Sequence, residues 1–455
     1  MSSDSVILWF RQDLRLADNA ALIAALESGP VVPVYILDDR TAGPNAMGGA
    51  QRWWLHYSLT ALARSLEARG AKLILRRGDA AIELRRLMTE TGAKHIHSTR
   101  AYEPWWQRID SQLSDQLVVH DGNYLAAPAT IRTGTGGRYK IFTPYWRALV
   151  AQMPPPVPLP APAQIVAAEA RGDNLADWHL LPNKPDWASG FDVWTPGEEG
   201  ATTAFRSFLK IVGDYDRTRN LPSEPGTSRL SPHLHFGEIS PATVWHHVSK
   251  RIGASGEPFL REIGWRDYAA NVIDQFPDYG SANARTEFDK LGWRSGAHAT
   301  SDFDAWSKGH TGYPIVDAGM RELWATGWMH NRVRMIAASF LVKHLLIDWR
   351  RGERWFWDTL VDADYGSNAV NWQWTAGSGV DANMFVRIMA PLGQSEKFNA
   401  GDYIRKWVPE LAHLRGTAIH DPHGGGAAPS TYAKPLIGHR EGRERALAAY
   451  REGKA

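Results

Sequence analysis

The sequence contains no cysteine. Disulfides, thiolate-bound zinc and iron–sulfur clusters are therefore excluded, which suits a reducing compartment. Long apolar runs are also missing. Met335 to Ile347 is broken by Lys343 and His344, and it falls well short of the roughly 20 residues that a spanning helix needs. Val6 to Phe10 is too brief for the apolar core of a secretory signal. The expectation is a cytoplasmic chain that makes no use of a membrane. Charge of one sign is not in excess either: the net charge is +2, so any nucleic-acid face has to be a local patch. No G-x-G-x-x-G follows the first strand pattern, which argues against a dinucleotide on a Rossmann turn. There is no internal repeat, and nothing calls for an obligate protein partner or for more than a monomer.

Tryptophan is abundant, at 21 of 455 residues, a load that points to stacking surfaces or electron relays as well as packing. Val6–Phe10, Val31–Leu37, Lys72–Leu75, His95–Ser98 and Leu117–His120 read as short buried strands. Helical patterns at Ala20–Glu27, Gln51–Arg69 and Ala80–Glu90 alternate with them. That alternation predicts a parallel doubly wound α/β domain over residues 1–128. Residues 129–196 read as a connector, because Met153–Pro162 (MPPPVPLPAP) is too proline-rich for a helix or a central strand. Gly134 to Gly137 reads as a turn, since it lacks the Lys-Ser/Thr ending of a phosphate loop. Residues 197–455 are helical in pattern almost throughout.

Within this helical region, a single stretch organises the rest. Between Gly327 and Gly379, Arg332, Arg334, Asp362, Asp364, Asn368, Trp372 and Trp374 sit in an apolar, helix-forming background. Charges among core aromatics must be paired or must face a ligand. A buried ion-pair network accounts for any one of them, whereas the whole set suits a large, planar, anionic cofactor. Upstream, Ser231-Pro232 and Ser240-Pro241 each read as an N-cap followed by Pro at the first helical position. Thr227, Ser228 and Arg229 beside them make an anion site at a helix start. Glu262 and Trp265 fall on one helical face, as a surface pair or as a pocket wall.

Six segments in this order, WFRQDLRLADN (Trp9–Asn19), GTSRLSP (Gly226–Pro232), EIGWRDY (Glu262–Tyr268), TGYPIVDAGMR (Thr311–Arg321), GWMHNRVRM (Gly327–Met335) and NWQW (Asn371–Trp374), resemble the photolyase/cryptochrome flavoproteins over nearly the whole chain. The likeness is greatest to the bacterial photolyases of cyclobutane pyrimidine dimers. The resemblance implies an N-terminal α/β domain linked to a C-terminal all-helical FAD-binding domain. It implies light-driven repair of UV-damaged DNA: excited reduced FAD lends an electron to a flipped-out dimer. Tyr215 and the loop Thr227, Ser228, Arg229, Leu230 and Ser231 would hold the diphosphate and ribityl parts of FAD. Asp362, Ala363 and Asp364 would contact the flavin end, with Arg334 paired to Asp362 and Asn368 facing flavin N5, where plant cryptochromes carry a carboxylate. Trp372, Trp349 and Trp293 would relay electrons to the surface.

By the same resemblance, Trp265 and Trp374 would stack on the lesion and Glu262 would hydrogen-bond its base edges. Arg219, Arg332 and Lys397 would meet phosphates, with Asn331 and Gln394 nearby. Met335 stands where enzymes repairing the 6-4 lesion are expected to carry His, and it suits an apolar cyclobutane pocket. Glu103 matches an acid that contacts a folate antenna in some relatives, though a surface acid on a loop fits equally. The second chromophore is a folate (methenyltetrahydrofolate) or a deazaflavin; sequence does not separate them. The competing readings are a cryptochrome-type blue-light receptor and a 6-4 photolyase. Asn368, Trp265, Trp374 and Met335 favour dimer repair, and no long signalling extension is expected after the helical domain.

Overall fold

The computed structural model describes residues 4–382 and 384–453. Among them, five parallel strands form one sheet in the order β3-β2-β1-β4-β5. The strands are β1 (Val6–Phe10), β2 (Val31–Leu37), β3 (Ile74–Arg77), β4 (Ile96–Thr99) and β5 (Leu117–His120). β1 lies at the centre and every residue of VILWF is buried, as a strand paired on both edges and covered on both faces requires. The intervening helices are α1 (Ala20–Ser28), α2 (Gly49–Glu67), α3 (Ala80–Thr91) and α4 (Pro104–Gln112). The predicted α/β order is thus present. β3 begins two residues later than expected, because the chain is still closing α2 where Ala71 N–H donates to Leu66 O at 3.0 Å.

By its contacts the chain divides into two compact units that interleave in sequence, where the sequence reading expected consecutive segments. The first unit joins the sheet to Asp192–Gly213 and Ser228–Pro277. It therefore includes α5 (Phe142–Val150), α6 (Glu198–Phe208), α7 (Pro241–Ile252) and α8 (Glu257–Gln275). The reason lies in the loop after β1. Arg15 is fully buried and donates to Asn123 Oδ1 and to Gly237 O, both at 2.9 Å. Glu198 accepts from the backbone N–H of Leu16 and Ala17 at 3.0 and 2.9 Å. Trp54 of α2 donates to Glu238 at 3.0 Å, and Asp267 of α8 accepts from Leu125 N–H at 2.7 Å. The first motif of the resemblance, WFRQDLRLADN, is thus core architecture. The proline-rich connector is a fastened strap: Asp18 and Leu159 bond reciprocally at 2.7 and 3.1 Å, and Arg69 Nε donates to Pro162 O at 3.0 Å. Gly134 to Gly137 forms the expected turn, with Gly136 N–H on Thr133 O at 2.8 Å.

The second unit is helical. It comprises α9 (Gly296–Ser307), α10 (Pro314–Thr326), α11 (Asn331–Ser339), α12 (Trp349–Thr359), α13 (Tyr365–Ala376), α14 (Pro391–Lys397), α15 (Gly401–Trp407) and α16 (His439–Glu452). Asp317 in TGYPIVDAGMR is wholly buried, which holds its carboxyl above the usual range, and it is satisfied by Thr311 N–H, Thr311 Oγ1, Gly312 N–H and Tyr432 Oη. This motif too serves the core. Of the two Ser-Pro pairs, Ser240 does cap α7, accepting from Thr243 N–H at 3.0 Å. Ser231 does not cap: Leu230 holds that position and Ser231 is the first helical residue of a five-residue turn, Ser231–His235.

In the first unit α5 packs tightly on α8, because a Cβ on Gly264 would run into the Trp146 ring. Gly264→Ala should therefore destabilise the protein by about 1–3 kcal/mol despite alanine's better helix propensity. A lower midpoint of thermal unfolding checks this; an unchanged or raised midpoint contradicts it.

Candidate functional site

α11, α12, α13 and the segment 360–364 line a partly open hollow of about 100 Å³ in the helical unit. Nine of the residues singled out from sequence line it: Asn331, Arg334, Met335, Asp362, Ala363, Asp364, Asn368, Trp372 and Trp374. Local sequence explains the placement. Asp348 and Asp364 cap α12 and α13, the latter accepting from Ser367 N–H at 2.7 Å. The turn before α13 then sets the Asp362–Asp364 run at the rim.

The expected Arg334–Asp362 pair is present and bidentate, at 3.1 and 2.8 Å. The Asp362 side chain is only 2% exposed. Arg334 Nε also donates to Met329 O at 2.7 Å, which fixes the fork. Such geometry is what a carboxylate needs to stay charged away from water. Asn368 donates through Nδ2 to Glu353 Oε1 at 2.8 Å and to Glu353 O at 3.1 Å. Both its N–H groups are thereby engaged, so the amide oxygen is what Asn368 has to offer the hollow.

Glu353 was not singled out in the sequence. Burial pushes its carboxyl up to about 7, against smaller opposing effects of Arg354 and the Asn368 hydrogen bond. Its signal was there: Trp349, Glu353 and Phe356 recur at the spacing of one helix face, and all are buried.

Trp372 meets Phe356 edge-on at 5.0 Å and Trp306 at 6.3 Å. From Trp306 a chain of rings continues to Phe303 (5.6 Å), Trp355 (6.4 Å) and Trp324 (6.0 Å), and Trp324 is 53% exposed. Sequence reading missed this path, because only the fold makes neighbours of α9, α10 and α12. Of the expected relay, Trp349 is fully buried and donates to Asn283 Oδ1 at 2.9 Å. Trp293 is half-buried against the cluster of Phe288, Leu291 and Phe385.

The match to known proteins is extensive. Residues 6–163 fit the family model for DNA photolyase, and residues 259–452 fit that for the FAD binding domain of DNA photolyase. The chain is 49% identical to the deoxyribodipyrimidine photo-lyase of Agrobacterium fabrum, over 98% of this chain and 97% of that protein. The chain belongs to the photolyase/cryptochrome family. A solved class III photolyase from Agrobacterium tumefaciens superposes with a TM-score of 0.94 at 47% identity, covering 100% of this chain and 98% of that one. Cryptochrome-1 of Arabidopsis thaliana is 34% identical over 96% of this chain and 69% of its own length.

The photolyase FAD-binding match spans every residue of the hollow, and the wall fits a flavin. Met335, Ala338, Phe356 and Leu360 supply apolar surface for ring faces, while Asp362, Asp364, Arg334, Asn368 and Asn371 supply edge contacts.

Other expected photolyase residues lie outside this wall. Arg332 donates to Asn220 Oδ1 at 2.7 and 3.3 Å and lies 4.6 Å over the Phe398 ring. Lys397 is 5.4 Å from that ring, and Gln394 shares its helix, α14. Tyr215 opens the single turn Tyr215–Thr218, with the Arg219 guanidinium 5.4 Å over its ring. Thr227 belongs to the helical unit and Ser228 to Ser231 to the other. There Arg229 has φ +52°, a left-handed backbone that Arg seldom adopts. Glu103 is buried, not a surface acid, and accepts from Tyr102 N–H at 3.1 Å. Glu262 and Trp265 lie half-buried on α8. One face of Trp265, expected to stack on the lesion, is covered by Phe142, which stacks on it at 3.6 Å with 8° between the planes.

The raised Glu353 carboxyl has a signed consequence. Its ordinary value is 4.5 and it titrates at about 7 in the fold, so the stability it lends is complete below pH 4.5 and lost as pH rises to about 7. Glu353→Gln keeps an acceptor for Asn368 without the charge. It should gain on wild type by up to about 3 kcal/mol across that window. Thermal melts at both ends of the window measure this, and a pH-independent difference contradicts it.

Proposed function

We propose that this chain repairs cyclobutane pyrimidine dimers in DNA under light, using reduced FAD held in the hollow. The observation that carries the reading is the pairing of Met335 and Asn368 in one wall. Methionine offers the lesion an apolar, non-acidic neighbour, as splitting a cyclobutane ring requires no proton donor. Asn368 presents an amide rather than a carboxylate to the flavin. The deoxyribodipyrimidine photo-lyase name of its relatives supports the same reading.

The bound flavin supplies the chemistry, the loan of one electron to the dimer on absorbing light. The protein's role is to bind, orient and tune. Asp362, Ala363 and Asp364 hold the flavin's polar edge, with Arg334 neutralising Asp362, while Tyr215 and the residues from Thr227 to Ser231 hold the phosphates. Glu353, through its hydrogen bonds, fixes which way Asn368 faces. Trp372, Trp349 and Trp293 carry reducing electrons inward. The ring chain ending at exposed Trp324 offers a second route.

A dimer must leave the base stack to be reached, and a damaged pair leaves most cheaply. Trp265 and Trp374 stack on the extruded bases, and Glu262 bonds their edges. Arg219, Arg332 and Lys397 meet phosphates and so position the strand without reading it, with Asn331 and Gln394 beside them. A folate or deazaflavin antenna belongs in the sheet-bearing unit, with Glu103 as a contact.

Two duplexes, alike except for one cyclobutane dimer or one 6-4 lesion, test this. With reduced enzyme under blue light, chromatography should show restored thymines only in the first. Glu262→Ala and Trp265→Ala should each slow that repair by about tenfold, ~1.4 kcal/mol. Restoration of the 6-4 duplex overturns the reading. Restoration of neither, with the flavin still photoreduced, points to signalling as in cryptochromes.

A further inference from the structure

Trp265 is held on one side with unusual completeness. The 3.6 Å between its ring centre and that of Phe142 means that the two rings overlap almost fully. Tyr268 meets both edge-on, at 5.5 Å and 85° to Trp265 and at 5.7 Å and 79° to Phe142. Tyr268 is itself anchored, its hydroxyl donating to Lys140 O at 2.7 Å, just ahead of α5. Phe142 is 1% exposed, whereas Trp265 is half-buried. Close approach of the two helices at Gly264 lets Trp146 lie parallel to Phe142, 6.3 Å away at 18°. The segment RYKIFTPYWRAL (Arg138–Leu149), which sequence reading left without a role, is therefore what backs the ring.

We propose that Phe142 is a positioning residue for lesion recognition: it fixes one face of Trp265 and leaves the opposite face as the platform for an extruded base. This rests on the reading of Trp265 as a base-stacking residue given above. An indole free to turn about its two side-chain torsions loses that freedom when a base stacks on it, which weakens binding. A ring already clamped by Phe142 and Tyr268 has lost it during folding. The clamp also makes the platform one-sided, so a base meets Trp265 in a single sense. A flat aromatic is needed at position 142, because an aliphatic side chain of similar volume cannot match the indole plane.

The test compares dark affinities of the flavin-loaded protein for a duplex with one cyclobutane dimer and for the same duplex undamaged, by fluorescence anisotropy. Phe142→Leu should weaken lesion binding about fivefold, ~1 kcal/mol, and leave undamaged binding close to wild type, while lowering the unfolding midpoint as loss of a buried ring does. Phe142→Tyr, which keeps the ring, should bind the lesion nearly as wild type does. In a Trp265→Ala background Phe142→Leu should have no further effect, since the residue acts through the indole. The proposal is overturned by wild-type lesion binding in Phe142→Leu, by equal loss for both duplexes, by equal loss in the Leu and Tyr variants, or by a fivefold loss that persists without Trp265. Wild-type lesion binding by Trp265→Ala alone is a separate result. It would remove the stacking role of Trp265, and this inference with it, even if Phe142→Leu weakened binding.

Discussion

The helical unit depends on how it keeps charge inside an aromatic interior. Asp362, almost closed off from water, is tolerable only because the Arg334 fork meets both its oxygens. That fork is in turn held by Met329 O, at the bend between α10 and α11. Remove this arrangement and the bend, the rim of the hollow and the start of α13 lose their common support. A binding wall for a polar-edged, flat-faced cofactor is then a consequence of packing. The apolar sides of α11, α12 and α13 make the faces, and the few paired charges can only sit at the edge.

A second buried acid works differently. Glu353 has no cation in bidentate contact and is instead bonded by Asn368, so burial raises its carboxyl toward neutrality. The two acids are held differently: Asp362 is forked by Arg334, whereas Glu353 sits behind the Asn368 amide in the wall of the hollow. From Trp372 the aromatic chain runs through Trp306, Phe303 and Trp355 to the exposed ring of Trp324.

Much of this was legible in the chain itself. The strand–helix alternation gave away the sheet, because short β-branched runs such as VILWF have few other uses. The Trp, Arg and Asp of Gly327–Gly379 marked the hollow because charge at such density among aromatics needs an explanation. Glu353 escaped because a glutamate between two arginines reads as a solvated helix face; only its tertiary surroundings make it a buried acid. Phe142 escaped because nothing near it in sequence announces Trp265, which lies on another helix. Ser231 was misread as a cap because the turn starts one residue early, a shift that local chemistry does not fix. The motif around Arg15, easily taken for a site, proved to be a buried tie between the sheet and later helices.

The central claim is that light absorbed by a flavin in this hollow splits the dimer. The most direct measurement is the action spectrum of repair on oligothymidine carrying cyclobutane dimers, followed by the return of thymine absorbance, with a dark control. The account predicts no recovery in the dark and a wavelength dependence that follows the absorption of the bound reduced flavin, with any antenna added to it. Recovery in the dark, or none at wavelengths that this flavin absorbs, would contradict it.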